Sequence, residues 1–325
     1  MIVDLRSDNT RGASPEIVEA VARANRDAVT SYGGDPWTAR LQSRVRELFE
    51  TDAAIFPVLT GTAGNALAIA AMTSPSQTVV CHADAHIVRD EEGAPELLSG
   101  GATMTAFDGA DGKLHDFTIP PNAACLSLTN ATEAGTVYSL DELRALCERA
   151  RAHGLRVHLD GARFANAFVT QRHSLADVTW RAGIDVLVLG GTKNGALGAE
   201  LVIVFDRDLA QRFALLWHRS GHRLSKLRFL SAQLEAYLTD DLWLRNARHA
   251  NAAAARLAAG LRERVEIVRP VEANILFARL QRPPQDVLMY DWPIFGENVY
   301  RMVTAFDTRD EEVDAAIAAL LSSRA

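Results

Sequence analysis

Between Ser14 and about Leu201 the chain alternates short apolar runs with longer stretches whose apolar residues recur at helical spacing. That alternation predicts a parallel sheet covered by helices. Ser14-Pro15 supplies a helix N-cap and a first-turn proline, and Ile17, Val18 and Val21 then form one apolar face. Asp35-Pro36 repeats the signal ahead of Leu41, Val45, Leu48 and Phe49. The run 53–59 reads as a strand, and Thr60-Gly61-Thr62 turns it into a helix rich in alanine and leucine. Further strands are expected at 78–81, 123–128, 155–159 and 184–189. Ser139 caps a helix that ends at His153-Gly154, where glycine suits a left-handed C-terminal position.

Beyond Val204 the alternation stops. An alanine- and arginine-rich helical region runs from about Leu209 to Arg262, followed by β-like runs at 274–280 and 300–306 and an amphipathic helix from about Asp310. The expected fold is therefore α/β, with a large, mainly parallel-sheet domain over residues 1–240 and a small α+β domain over 241–325. No internal repeat or low-complexity linker is evident.

Composition narrows the class. The 325 residues, 48% hydrophobic and 23% charged, match a soluble globular protein. A net charge of -7 argues against nucleic acid or an anionic membrane as the main partner, since both select a basic face. No apolar run is long enough to span a bilayer, and Met1 to Asp8 lacks the charged start and apolar core of a signal peptide, so a cytoplasmic location is expected. Cys81, Cys125 and Cys147 are widely spaced in apolar or amphipathic stretches. They read as buried free thiols in a reducing compartment, without metal-ligand spacing.

In parallel α/β sheets ligands bind beyond the carboxyl ends of the strands. The polar residues there are Gly61-Thr62, His82 to His86, Thr129-Asn130, Asp160 with Arg163, and Thr192-Lys193. Each alone has a bland reading: a surface lysine, a simple turn, a helix cap at Asp160. Together they place a phosphate handle, an imidazole, a carboxylate, a guanidinium and a lysine at one rim. A lysine amine in a partly desolvated site forms a Schiff base with an aldehyde cofactor. A carboxylate such as Asp160 keeps a pyridine nitrogen protonated, which makes the ring an electron sink. Gly61-Thr62 at a helix N-terminus suits a phosphate. A nucleotide loop would carry a fuller glycine signature, and neither G-x-G-x-x-G nor G-x-x-x-x-G-K-[ST] occurs.

Six segments also carry a family resemblance: Asp4 to Asp8, Tyr32-Gly33-Gly34-Asp35-Pro36, Thr60 to Asn65, His158 to Arg163, Gly190 to Gly195, and Tyr300 to Thr304. In this order they resemble the threonine aldolases, within the β-eliminating lyase group of fold-type I enzymes that use pyridoxal 5'-phosphate (PLP). The resemblance implies that Lys193 holds the cofactor as a Schiff base, Asp160 pairs with the pyridine nitrogen, and His86 stacks on the ring. It implies phosphate contacts at Gly61 and Thr62, with Asn65 beside them. Ser7, Arg163 and Arg301 would grip the substrate carboxylate, which a planar guanidinium meets with two hydrogen bonds. Arg163 would also neighbour the cofactor. Family sites are completed across a subunit interface, so a homodimer or homotetramer is implied, with Tyr32 or the stretch from Arg223 to Arg228 serving a neighbour's pocket.

The chain departs from the family pattern in three places. Many members have a histidine near the substrate's β-hydroxyl, where this loop has Thr132 or a neighbour. A threonine is no base near neutral pH, so proton removal would fall to His86, to a water, or to Glu91 or Glu133. Gly34 stands where an acidic residue is common, and the polar stretch from Gln281 to Met289 is short. The implied reaction is cleavage of L-β-hydroxy-α-amino acids, such as threonine, allo-threonine or phenylserine, to glycine and an aldehyde. Its rivals are another PLP reaction, β-elimination or transamination, and a non-catalytic binder of phosphorylated metabolites.

Overall fold

The structure, a computed structural model, describes residues 1–322, so the last three residues of the expected small domain lie outside the described residues. It opens with a short strand β1 (Val3–Asp4) and helices α1 (Pro15–Ala24) and α2 (Pro36–Phe49). Alternation follows through β2 (Ala54–Val58), α3 (Gly61–Met72), β3 (Thr78–His82), α4 (His86–Arg89), α5 (Ala94–Ser99) and β4 (Thr103–Phe107). It continues with β5 (Ala123–Thr129), α6 (Leu140–Ala152), β6 (Arg156–Gly161), α7 (Phe164–Phe168), β7 (Val186–Leu189) and β8 (Glu200–Val204). Three helices, α8 (Arg207–Arg219), α9 (Arg228–Tyr237) and α10 (Leu242–Leu261), then lead to β9 (Glu266–Ile267) and β10 (Ile275–Arg279). The chain closes with β11 (Val287–Leu288), β12 (Tyr290–Asp291), β13 (Val299–Val303) and α11 (Asp310–Ser322). No helix among the described residues is long and apolar enough to cross a membrane.

The main sheet has seven strands in the order β2-β8-β7-β6-β5-β3-β4. The five strands from β7 to β4 run parallel, and β8 is antiparallel to both β7 and β2. The mainly parallel sheet therefore has the expected character, but β4 and β8 were not among the expected strands. Pro57 sits in the edge strand β2, where a missing N–H is tolerated. Starts and stops follow the chain's capping chemistry. Thr60 Oγ1 accepts from Ala63 N, Asp35 from Thr38 N, and Ser139 with Glu142 forms a reciprocal capping box. Ser14 differs: its hydroxyl accepts from Asn246 Nδ2 and makes no cap bond.

Helix α3 lies flat on the sheet with almost every residue from Gly64 onward buried. A methyl on Gly64 would stand 2.7 Å from Val188 Cγ1 on β7, so this glycine sets how closely the helix approaches. That approach fixes the helix N-terminus over the strand ends. Leu201, Val202 and Ile203 of β8 and Leu187 of β7 are fully enclosed in the core beneath it.

Two hydrophobic clusters meet along α10. Trp243 and Ala247 belong to the large one, and Ala253, Leu257 and Leu261 to a second with β10 and α11. The expected boundary at residue 240 falls just ahead of this helix. One part of the domain expectation changes. Val3 and Leu5, assigned with the large domain, pack in the second cluster, because β1 pairs in parallel with β11. Leu5 O also accepts from Val303 N, so the N-terminal segment bridges the small sheet and the site. The three cysteines are buried and unpaired, and burial pushes the Cys81 and Cys147 thiols up to about 12.

Candidate active site

Sheet register brings the chemistry to one edge. Thr129 of β5 lies beside Asp160 of β6, which lies beside Val188 of β7. Because β2 and β7 both run antiparallel to β8, β2 also ends at this edge and delivers the start of α3 there. The same geometry brings the first residue of β8, Glu200, opposite Val58. A cavity of about 240 Å³ sits at this edge, and Gly61, Thr62, His86, Asp160 and Lys193 line it. Glu91, named as a candidate base, lines it too, as do Asn9 and Glu200, which were missed in the sequence.

Lys193 projects from a 3-10 turn, Thr192–Asn194, just past β7. Gly190 and Gly191 precede that turn, and a methyl on Gly190 would lie 2.2 Å from Ala162 O, so only glycine permits this crossing of the β6 and β7 exits. The chain has three lysines. Lys113 is paired with Glu142 at 3.1 Å, and Lys226 is exposed on a distant loop. Lys193 alone faces the cavity, half-buried and with no hydrogen-bond partner among the described residues.

Asp160 is buried at the end of β6 and accepts from Ala162 N at 2.9 Å and from Asn65 Nδ2 at 3.0 Å. Among the described residues no cation pairs with it. A buried carboxylate without a counter-ion is the feature that a protonated pyridine nitrogen would satisfy. At the opposite end of the cavity, the N–H groups of Gly61 and Thr62 open α3 with no acceptor in the described chain. Together with the helix dipole they form an anion seat. The residues present thus fit PLP: a free lysine, a buried carboxylate and a phosphate-ready helix start around one cavity.

Asn65 has a further role beside the one expected. It lies one turn inside α3, 2% exposed, and its Nδ2 bridges Asp160 and Glu91 Oε1, the latter at 2.8 Å. Its amide nitrogen thus organises the carboxylates, while the residue lines the same cavity as Gly61 and Thr62 and its Oδ1 has no partner among the described residues. Glu91 Oε1 also meets His86 Nδ1 at 3.0 Å, with the Glu91 side chain wholly enclosed. Glu91 holds the His86 imidazole above its ordinary pKa, while burial pushes the Glu91 carboxyl up. Glu200 accepts from Gly191 N at 2.7 Å, bracing the lysine turn, and burial raises its carboxyl.

Two arginines lie outside the cavity lining, close enough to feel one another's charge. Arg163 Nε and Nη2 meet Asp8 at 2.8 and 3.0 Å in a buried pair. Asn274 Nδ2 donates to the same carboxylate at 3.1 Å. Burial opposes the charge on Asp8, but Arg163 overcomes it and holds that carboxyl below its usual range. Arg301 on β13 has no acidic partner among the described residues, and its guanidinium lies 4.2 Å over the Trp292 ring and 5.5 Å from that of Tyr290. Its Nε is buried without an acceptor. Burial, and then Arg163, make it less basic than usual. An unpaired guanidinium packed against two aromatic rings is prepared for an external carboxylate.

Ser7 caps the 3-10 turn that carries Asp8, accepting from Asn9 N at 3.2 Å. Thr132, expected at the substrate, is instead 1% exposed, with its hydroxyl 2.7 Å from that of Thr136. Its role is to hold the loop, and the substrate contact expected there is revised. Tyr32 lies apart from the cavity, 51% exposed, and its N–H donates to Ser225 O at 3.0 Å. The loops around Tyr32 and Arg223 thus form one surface patch.

Comparison with known proteins agrees with this geometry. Residues 4–283 match the family model described as beta-eliminating lyase. The chain is 41% identical over 324 residues to a low specificity L-threonine aldolase of Pseudomonas aeruginosa, covering 94% of each. It is 38% identical to a protein of the same name from a Pseudomonas species, covering 98% of this chain and 97% of that one. Its structure resembles that of Leishmania major threonine aldolase with a TM-score of 0.90, at 26% identity, covering 99% of this chain and 100% of the other. A methionine aminotransferase from Escherichia coli shares the fold with a TM-score of 0.79, at 15% identity over 99% of this chain and 94% of that one.

Proposed function

From the premise that this chain belongs to the β-eliminating lyase family, we propose residue roles for the reaction its site performs. The enzyme is a PLP-dependent threonine aldolase of fold-type I, cleaving L-β-hydroxy-α-amino acids such as threonine to glycine and an aldehyde. The observation that carries the roles is that unpartnered Lys193 and counter-ion-free Asp160 line one cavity, with the unpaired guanidinium of Arg301 close enough to feel Arg163 and Asp8.

Lys193 would hold the cofactor through its Nζ, which has no hydrogen-bond partner among the described residues. Asp160 would meet the pyridine nitrogen, and Asn65 holds the Asp160 carboxylate in place through its Oδ2. When bound, PLP supplies an electron sink for the bond that breaks at Cα. His86, positioned through its Nδ1 by Glu91, would cover the ring and exclude water from it. The N–H groups of Gly61 and Thr62 take the phosphate.

Arg301 takes the substrate's α-carboxylate, with Arg163 beside it and Ser7 positioning the Asp8 turn that sets Arg163. Fixing the carboxylate selects which bond at Cα stands perpendicular to the ring, and orientation of this kind supplies several kcal/mol of a barrier. The cavity lining contains three carboxylates, Glu91, Asp160 and Glu200, and no arginine. A dianionic phosphate there calls for a cation from elsewhere. The patch of Tyr32, Arg223 and Arg228 in a second copy supplies it, in a homodimer or homotetramer working in the cytoplasm.

Incubation with L-threonine tests this reading. Equal amounts of glycine and acetaldehyde are expected. A keto acid, or ammonia, in place of glycine would overturn it.

A further inference from the structure

The cleavage needs a base for the substrate's β-hydroxyl, and the loop after β5 lacks the family's histidine. Besides Asp160, Glu91 and Glu200 line the cavity, while Asp8 and Glu133 lie outside its lining, and three of these four are already engaged. Asp8 is gripped by Arg163, Glu200 by the backbone of the lysine turn, and Glu91 by His86 and Asn65 with none of its side chain exposed. Glu133 is different. It makes no hydrogen bond or ion pair with any described residue. Of residues 130 to 138, it alone is not buried, so the loop presents this one side chain outward.

The loop is built to hold Glu133 there. Asn130 N donates to Asp160 O at 3.0 Å, tying the loop to the strand end beneath the cofactor. Thr132 N donates to Thr136 O at 2.9 Å, and Gly135 N to Thr132 O at 2.9 Å, so a tight turn flanks Glu133. Val137 N donates to Glu272 Oε2 at 2.6 Å, anchoring the far side. The Glu133 side chain lines two adjoining crevices, one with His82, Thr129 and Tyr138, the other with Asp90, Trp292 and Phe295. Its charge is felt at His86, Arg163 and Arg301 together, raising the basicity of each. Geometry links it to the same groups: Glu133 shares a crevice with Trp292, over which the Arg301 guanidinium lies at 4.2 Å, and its loop is bonded to Asp160 through Asn130.

We propose that Glu133 is the base that removes the proton from the β-hydroxyl. This rests on the aldolase reading above. The proton passes from the β-oxygen to a Glu133 carboxylate oxygen as the Cα–Cβ bond breaks. The O–H electron pair becomes the aldehyde C=O, and the pair from Cα–Cβ is retained by the amino-acid fragment until Cα takes up a proton to give glycine. Nothing is oxidised or reduced. His86 is the poorer acceptor, because Glu91 at its Nδ1 favours the imidazolium.

The test compares wild type, Glu133→Gln and Glu133→Asp, each loaded with PLP. Cleavage of L-threonine and L-phenylserine is followed alongside exchange of glycine's α-proton in D2O, which needs no β-hydroxyl base. Cofactor affinity is read by absorbance titration of the apoprotein. Glu133→Gln is expected to lose about 100-fold or more in kcat for cleavage, the range one positioned general base supplies. Glycine exchange and cofactor affinity are expected to stay near wild type, and Glu133→Asp to recover part of the cleavage. Cleavage by Glu133→Gln at close to the wild-type rate would overturn the assignment, as would cleavage and exchange falling together. Absence of aldehyde from the wild type with both substrates would instead overturn the aldolase reading beneath it.

Discussion

Replacing Arg301 with leucine removes the unpaired guanidinium while keeping an apolar side chain between Tyr290 and Trp292. In the free enzyme Arg301 has no acidic partner, and burial together with Arg163 already disfavours its charge. Its removal therefore relieves a repulsion and breaks no ion pair, so the variant's Tm is expected to match or exceed that of wild type. The cost falls on substrate. A charge-assisted contact to a carboxylate contributes about 1.5–3 kcal/mol, which at about 1.4 kcal/mol per decade is roughly a 10- to 150-fold rise in KM. The α-carboxylate is held alike before and during bond cleavage, so kcat is expected to fall less than kcat/KM. Arg301→Lys keeps the charge but loses the planar fork, and falls between wild type and Arg301→Leu. Steady-state kinetics on L-threonine with thermal denaturation provide the assay. A KM near wild type in Arg301→Leu, or a fall in Tm of many degrees, would refute the reasoning.

Other perturbations probe the scaffold and its titrating groups. His158 is wholly buried beside Ser127 and burial pushes its imidazole down from 6.5 to about 4. The unfolded chain binds that proton first, so this group costs stability as pH falls from 6.5 to about 4, by about 3 kcal/mol at most. Urea midpoints should drop over that window in wild type and drop less in His158→Gln; equal drops would contradict it. Glu91→Gln removes the partner that raises His86, so the imidazole should titrate at lower pH by NMR, and an unmoved titration would count against the pair. Gly64→Ala forces a methyl against Val188 and Val202, and overpacking of this kind costs about 1–3 kcal/mol. Its Tm should fall, and a Tm equal to wild type would show that α3 does not seat as tightly as described.

Legibility followed local pattern and stopped at long-range pairing. Strands β2, β3, β5, β6 and β7 could be read because each is a short apolar run ahead of a polar turn. The rule that ligands gather at carboxyl ends of strands then found Gly61, His86, Asp160 and Lys193. The same rule hid Glu200, because β8 runs antiparallel and offers its first residue to the site. Strand β1 is two residues long and finds its partner nearly 300 positions later, so its place in the C-terminal cluster has no local signal. Arg301 was visible as a motif, but its aromatic bracket comes from β12 and the turn after it, too short for any periodicity. Asn65 was placed with the right helix, but its function depends on Glu91 and Asp160, which only the fold brings together. The loop that lacks a histidine could be read as a gap. Which neighbour fills it depends on which side chain faces out, and the backbone alone decides that.

The central claim is that Lys193 holds the cofactor, and the chain offers only two other lysines, Lys113 and Lys226. Reducing the PLP-loaded protein with borohydride and measuring peptide masses tests it directly. The account predicts a phosphopyridoxyl group on the peptide that carries Lys193, with Lys113 and Lys226 unmodified. Label on either of those two, or a protein that takes up no cofactor to be reduced, would contradict it.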